Sequence, residues 1–219
     1  MVVRENFENN LQELQDKMVE MGELTVSSLE KAFTALKTQD VELALKVIEE
    51  DTAIDIIETE INQFAIWLMA KEQPVARDLR IMIGALKISS DIERIADFGV
   101  NIAKATIKIG VANTLLDLTK LEQMKDVSID MFHKAVKSFF EENIMLAKEV
   151  GDLDDLVDNY YDETYKSITG YLREHPEETN QLAQLLFVNR YLERTADHIT
   201  NIAESAAYLI KGRKYDLNH

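Results

Sequence analysis

The sequence predicts an all-α protein built from two tandem antiparallel three-helix bundles related by internal duplication, and three observations carry that expectation. The chain of 219 residues has only 7 Gly, 2 Pro and no Cys, and Leu, Ala, Glu, Lys and Ile are abundant, so helix formers far outnumber breakers. An eleven-residue phrase, Glu93-Arg94-Ile95-Ala96-Asp97-Phe98-Gly99-Val100-Asn101-Ile102-Ala103, returns as Glu193-Arg194-Thr195-Ala196-Asp197-His198-Ile199-Thr200-Asn201-Ile202-Ala203. Self-similarity at nearly half the chain length means a duplicated unit rather than a short-period solenoid. The two prolines, Pro74 and Pro176, punctuate the halves at the same place. The expected halves are residues 1–111 and 112–219.

The first helix is expected over residues 5–37. Phe7, Leu11, Leu14, Met18 and Met21 alternate steps of four and three, and Leu29, Ala32, Phe33 and Leu36 continue the stripe. Thr38-Gln39-Asp40 breaks it, with Asp40 as N-cap of a second helix that runs from Val41 to about Ala70 through Leu45, Ile48, Ile54 and Ile61. Pro74 stops that helix or opens the next. The third runs from about Ala76 to Ile109, carries the first repeat copy and ends at Gly110. In the second half, one helix is expected over 113–150, through Leu118, Leu121, Met124, Val127, Met131, Ala135, Phe139 and Ile144, with Gly151 ending it. Another covers 152–174 and stops at His175-Pro176. The last runs from about Thr179 to Lys211, Gly212 ends it, and Arg213 onward reads as a loose tail. Met18, Met21, Met124 and Met131, at helical spacing, read as core.

The balance of 24 basic against 40 acidic residues, a formal net charge of −16, opposes binding to nucleic acid or anionic lipid. It suits metal cations or a basic protein partner, although acidity also serves solubility. The absence of Cys excludes zinc-thiolate and disulfide roles and fits a reducing cytosol. Met1-Val2-Val3-Arg4-Glu5-Asn6-Phe7 turns polar at once, without a signal-peptide core. Phe64-Ala65-Ile66-Trp67-Leu68-Met69-Ala70 is far short of the ~20 apolar residues of a membrane span. A cytoplasmic protein is expected, near membranes only through protein partners.

The repeated phrase places Glu, Asp and Asn at i, i+4 and i+8, which stacks them along one helical face. The preceding helix of each half adds an Asp-x-x-aliphatic-Asp pair, Asp51/Asp55 in the first and Asp154/Asp158 in the second. Travel up one helix and down the next can set Asp51/Asp55 beside Glu93/Asp97, and Asp154/Asp158 beside Glu193/Asp197. Four facing carboxylates cannot all stay ionised without compensation, and an all-oxygen cluster suits Mg²⁺, Ca²⁺, Mn²⁺ or ferric iron. Asn101 and Asn201 offer further oxygens, and His198 offers an imidazole to the second cluster. Against this, about seven i, i+4 acid pairs arise by chance at this acid content. Arg94 and Arg194 can neutralise the acids, the asparagines can cross-link helices, and His198 can serve packing. Repetition of type and place favours metal. A Gly-rich phosphate loop, a nucleophile elbow and HExxH are all missing, and Asp130-x-x-His133 is the nearest approach to a Glu-x-x-His iron motif. No catalytic residue is assigned.

Pro74-Val75-Ala76-Arg77-Asp78-Leu79-Arg80 followed by Asp91-Ile92-Glu93-Arg94-Ile95-Ala96-Asp97, and the second run Asn189–Glu204, resemble the doubled signature of the PhoU phosphate-uptake regulators. The resemblance covers nearly the whole chain. Ala96 and Ala196 stand where the family more often has Gly. The resemblance implies tandem three-helix bundles and bound metal (iron, magnesium, manganese, calcium or zinc) on Asp51, Asp55, Glu93, Asp97, Asp154, Asp158, Glu193 and Asp197. It implies a cytoplasmic, commonly homodimeric, non-enzymatic regulator that couples the ATPase subunit of the phosphate ABC transporter to a sensor histidine kinase and restrains the phosphate-starvation response. Two other classes stay open. A helical-bundle metalloenzyme would turn over substrate when metal-loaded and not as apoprotein. A purely structural adaptor would purify without metal.

Overall fold

Cap and turn chemistry divides the described residues into six long helices and one single-turn helix. The structure, a computed structural model, describes residues 2–110 and 113–213. The elements are α1 (Val2–Thr38), α2 (Val41–Glu72), α3 (Arg77–Ile109), α4 (Asn113–Leu116), α5 (Leu121–Phe140), α6 (Ile144–Glu174) and α7 (Thr179–Lys211), with a 3-10 turn at Pro176–Glu178. No strand occurs among the described residues.

The breaks follow local chemistry. Gln39 takes a positive φ of 58°, and the Asp40 carboxylate accepts the Leu43 amide at 2.9 Å, capping α2. Gln73, also left-handed, ends α2 by donating its N–H to the Met69 carbonyl. Gly110 closes α3 at φ 66°, a conformation that glycine adopts freely.

One expectation is overturned. Residues 113–150 are not one helix, and Gly151 does not end one. The α4 helix stops at Leu116, α5 stops at Phe140, and α6 runs unbroken from Ile144 to Glu174 through Gly151. The turn sits at Glu142, at φ 50°, and Asn143 caps α6 by accepting the Met145 amide at 3.0 Å. A side-chain cap satisfies amides left orphaned at a helix start, whereas one interior glycine costs only about 1 kcal/mol. The apolar period hides the break because α5 and α6 line one core. The expected division between Val111 and Ala112, and the tail beyond Arg213, lie outside the described residues.

Helices α1, α2 and α3 pack pairwise, as do α5, α6 and α7. The α3–α7 contact is the most extensive of all and joins the two bundles. Ala44, Val47, Ile54, Ile61 and Ala65 of α2 are buried, as are Ala147, Val150, Val157, Thr164 and Ile168 of α6. Each lies 103 residues from its counterpart, while α3 and α7 are related by 100, so the difference is taken up around the prolines. Residues 91–100 and 191–200 repeat the same order of buried, half-buried and exposed positions. All four methionines read as core are buried. Among the described residues, no helix is long and apolar enough to cross a membrane.

Candidate functional site

Packing of α2 on α3 and of α6 on α7 decides where the carboxylates meet. Asp51, Glu93 and Asp97 are half-buried and Asp55 is exposed; Asp154, Glu193, Asp197 and Asp158 repeat that pattern. The eight acids therefore form two clusters at the seams between inward and outward helix faces.

Their proton affinities record the crowding. Burial, then Asp55 and Asp97, pushes the Asp51 carboxyl from 3.8 to about 6, with Lys104 opposing. Burial, then Asp97, raises Glu93, and Arg94 opposes. In the second cluster, burial, then Asp158, Asp197, Asp155 and Glu193, pushes Asp154 up to about 7. Burial and Asp197 raise Asp158, and burial and Asp197 raise Glu193 against Arg190 and Arg194. Desolvation and like charge both favour the neutral acid. Acids on α2 act on α3, and acids on α6 act on α7, so the predicted pairs are neighbours across the helices.

Arginines occupy part of each cluster. Arg94 donates to Asp97 at 2.9 Å, and Arg190 donates to Glu193 Oε1. The other oxygen, Glu193 Oε2, is buried without a hydrogen-bond donor among the described residues. Among the described residues, no three His, Asp or Glu side chains are already assembled as a group able to hold an ion. The clusters are thus adjacent but not closed. Their chemistry fits a hard cation: oxygen donors only, half desolvated, with one buried oxygen lacking a partner. Asp51, Asp55, Glu93 and Asp97 would hold such an ion in the first bundle, and Asp154, Asp158, Glu193 and Asp197 in the second.

His198 and Asn201 go elsewhere. His198 Nδ1 lies 2.8 Å from Asp91 Oδ1 on α3, and Asn201 Nδ2 donates to the same oxygen at 3.4 Å. A carboxylate only accepts, so Nδ1 carries the proton. Both partners of the His198–Asp91 pair are largely buried, at 17% and 18% exposure. These side chains join the bundles and do not complete a carboxylate cluster. Asn101 is half-buried on α3. The pairing is reciprocal: position 91 meets 198, and Phe98 stacks on Tyr191 with ring centroids 6.2 Å apart. Two equivalent helices packed antiparallel about a local twofold axis make contacts of this kind. Sequence reasoning assigned no role to Asp91, Lys104 or Asp155. Asp91 and Phe98, seven residues apart, marked the interface face of α3, but only a partner helix gives that spacing meaning.

The PhoU domain family model matches residues 18–106 and again 121–206. The phosphate-specific transport system accessory protein PhoU homolog of Clostridium acetobutylicum is 35% identical over 218 residues, spanning 99% of this chain and all of that one. The Aquifex aeolicus homolog of the same name is 37% identical over 202 residues, 92% of this chain and 91% of that one. The crystal structure of the phosphate transport system regulatory protein PhoU from Streptococcus pneumoniae superposes with a TM-score of 0.87 at 31% identity, covering 96% of this chain and 99% of that one.

Proposed function

Because this chain belongs to the PhoU family, we propose that it is an accessory and regulatory protein of phosphate-specific transport that acts by binding, without turnover. It works in the cytoplasm as a homodimer, couples the ATPase subunit of a phosphate ABC transporter to a sensor histidine kinase, and restrains the phosphate-starvation response when phosphate is plentiful. Metal on the two carboxylate clusters belongs to this reading. The observation that supports it is the duplication of a crowded carboxylate cluster at equivalent places in both bundles, with a buried Glu193 oxygen lacking any donor.

A bound cation supplies positive charge where these carboxylates repel one another. The chain's own residues then divide the work. Arg94 and Arg190 hold Asp97 and Glu193 in place, and buried Ile54 and Val157 between the paired aspartates fix the helix rotation that turns both carboxylates to one side. No side chain in either cluster is a nucleophile of the hydroxyl or thiol type.

Deletion of the gene tests the regulatory reading. Phosphate-regulated transcription is expected to stay on in phosphate-rich medium, and the purified protein is expected to associate with the transporter ATPase or the sensor kinase. Normal phosphate responses together with no binding to either protein would overturn it. Elemental analysis of untagged protein tests the metal separately.

A further inference from the structure

Helix α2 leaves five large apolar side chains exposed along its length: Val41, Leu45, Ile56, Ile66 and Trp67. Its inward seam packs on α1 and α3. On the opposite face, Thr52, Ile56, Thr59, Gln63, Ile66 and Ala70 alternate steps of four and three, and every one is exposed and uncharged. Ile56 is 54% exposed, Ile66 58% and the adjoining Trp67 46%. The run spans about 27 Å at ~1.5 Å per residue.

The duplicated helix supplies the control. The same six places on α6 hold Asp155, Asn159, Asp162, Lys166, Thr169 and Arg173, four of them charged, and Gly170 stands where α2 has Trp67. Solvent-facing positions of this fold thus take charge when they face water. A seam of steps four and three is the pattern by which one helix receives another. Single exposed apolar side chains are ordinary on any surface; an exposed line of five turns that holds Ile56, Ile66 and Ala70 among Thr52, Thr59 and Gln63 without one charge is not. Trp67 is also held in place, stacked on Phe64 at 5.7 Å with the Lys71 ammonium 4.5 Å from its ring.

Charge selects the occupant. Helix α2 carries eight acids against two lysines, and exposed Glu42 and Glu49 have no salt bridge among the described residues. A second copy of the chain docked through this face would set these acids against each other. We infer that the outward face of α2 is a docking surface for an amphipathic helix of a partner protein, apolar along a heptad seam and flanked by lysine or arginine. The apolar positions of this surface, Ile56, Ile66 and Trp67, include none of the eight clustered carboxylates.

The full-length protein tests this directly, because Trp67 is its only tryptophan. The probe is a synthetic helix with Leu at heptad a and d positions and Lys at the flanks. Saturable binding with a blue shift of Trp67 emission, weakened by salt, is expected. A scrambled peptide of the same composition should leave the emission unchanged. Ile56→Lys with Ile66→Lys should weaken binding by tenfold or more while helicity holds; Asn159→Lys with Thr169→Lys on α6 should not. If the lysine pair lowers helicity, Ile56→Gln with Ile66→Gln takes its place. No binding, or binding indifferent to the α2 variants, overturns the inference. So does a wild-type dimer that the α2 variants turn into a monomer, because that result makes the face a contact between copies.

Discussion

The two carboxylate clusters sit at equivalent places on equivalent helices, yet they hold protons differently. Asp51 is pushed to about 6 and Asp154 to about 7. Burial leads in both and is deeper at Asp154, and the neighbours differ as well. Lys104 opposes the shift of Asp51, and the place one hundred residues on is Glu204. Asp155, beside Asp154, replaces Thr52, and Asp162, which helps raise Asp158, replaces Thr59. Duplication kept the backbone and the four ligand-type acids, while substitutions around them changed the field. A fold fixes where charges meet, and the surrounding composition fixes how strongly they are opposed.

The largest expected effect breaks one cluster and leaves the other. Glu193→Ala with Asp197→Ala should remove metal from the second bundle alone, and Glu93→Ala with Asp97→Ala from the first, each by more than the roughly ten- to hundredfold that outer-shell partners contribute. Elemental analysis and isothermal titration read this, and unchanged stoichiometry in both variants would defeat the assignment.

Next comes pH. The Asp154 carboxyl binds its proton more tightly folded than unfolded, so between about pH 4 and pH 7 the native state holds more protons. Stability of the metal-free protein is therefore greatest at the acid end of that window and falls as pH rises through about 7. After allowing for partial solvation, the loss is about 1–2 kcal/mol. Asp154→Asn should remove most of it in denaturant titrations at pH 5 and pH 8, and Asp51→Asn should remove less. Equal effects would mean that burial and neighbouring charge do not distinguish the clusters.

The interface offers a third comparison of similar or smaller size. Its two reciprocal contacts are polar at one end, Asp91 with His198, and aromatic at the other, Phe98 with Tyr191. His198→Ala leaves a largely buried carboxylate with its main donor gone, at a cost of about 1–3 kcal/mol. Restoring an apolar pair through His198→Leu with Asp91→Leu should recover part of that, as a double-mutant cycle would show. The smallest effect is at Gly170. A methyl there meets nothing within 4 Å, so Gly170→Ala should stabilise α6 by about 0.5–1 kcal/mol, measured as a raised melting temperature. The same change at Gly84 should destabilise, because its new carbon would approach Phe139 to 2.6 Å.

Much of this was legible before any coordinates. Helical period, the caps at Asp40 and Gly110, and the paired i, i+4 acids are local properties, carried within a few residues and therefore readable along the chain. The duplicated signature placed the acids in two matching sets, and the coordinates put the acids of each set on adjoining helices without closing them into a group among the described residues. The break at Glu142 and Asn143 was not legible, because the apolar period continues across it and Gly151 offered a more familiar stop. The destination of His198 was not legible either: its partner Asp91 lies 107 residues away. By itself the sequence determined which faces of each helix are apolar and which acids share a face. Only tertiary packing decided that α3 and α7 meet antiparallel, that His198 and Asn201 serve that junction, and that the outward seam of α2 has no neighbour among the described residues. The physical reason is range: backbone hydrogen bonding and side-chain period act over one or two turns, whereas burial and desolvation depend on which distant surface closes over a given face.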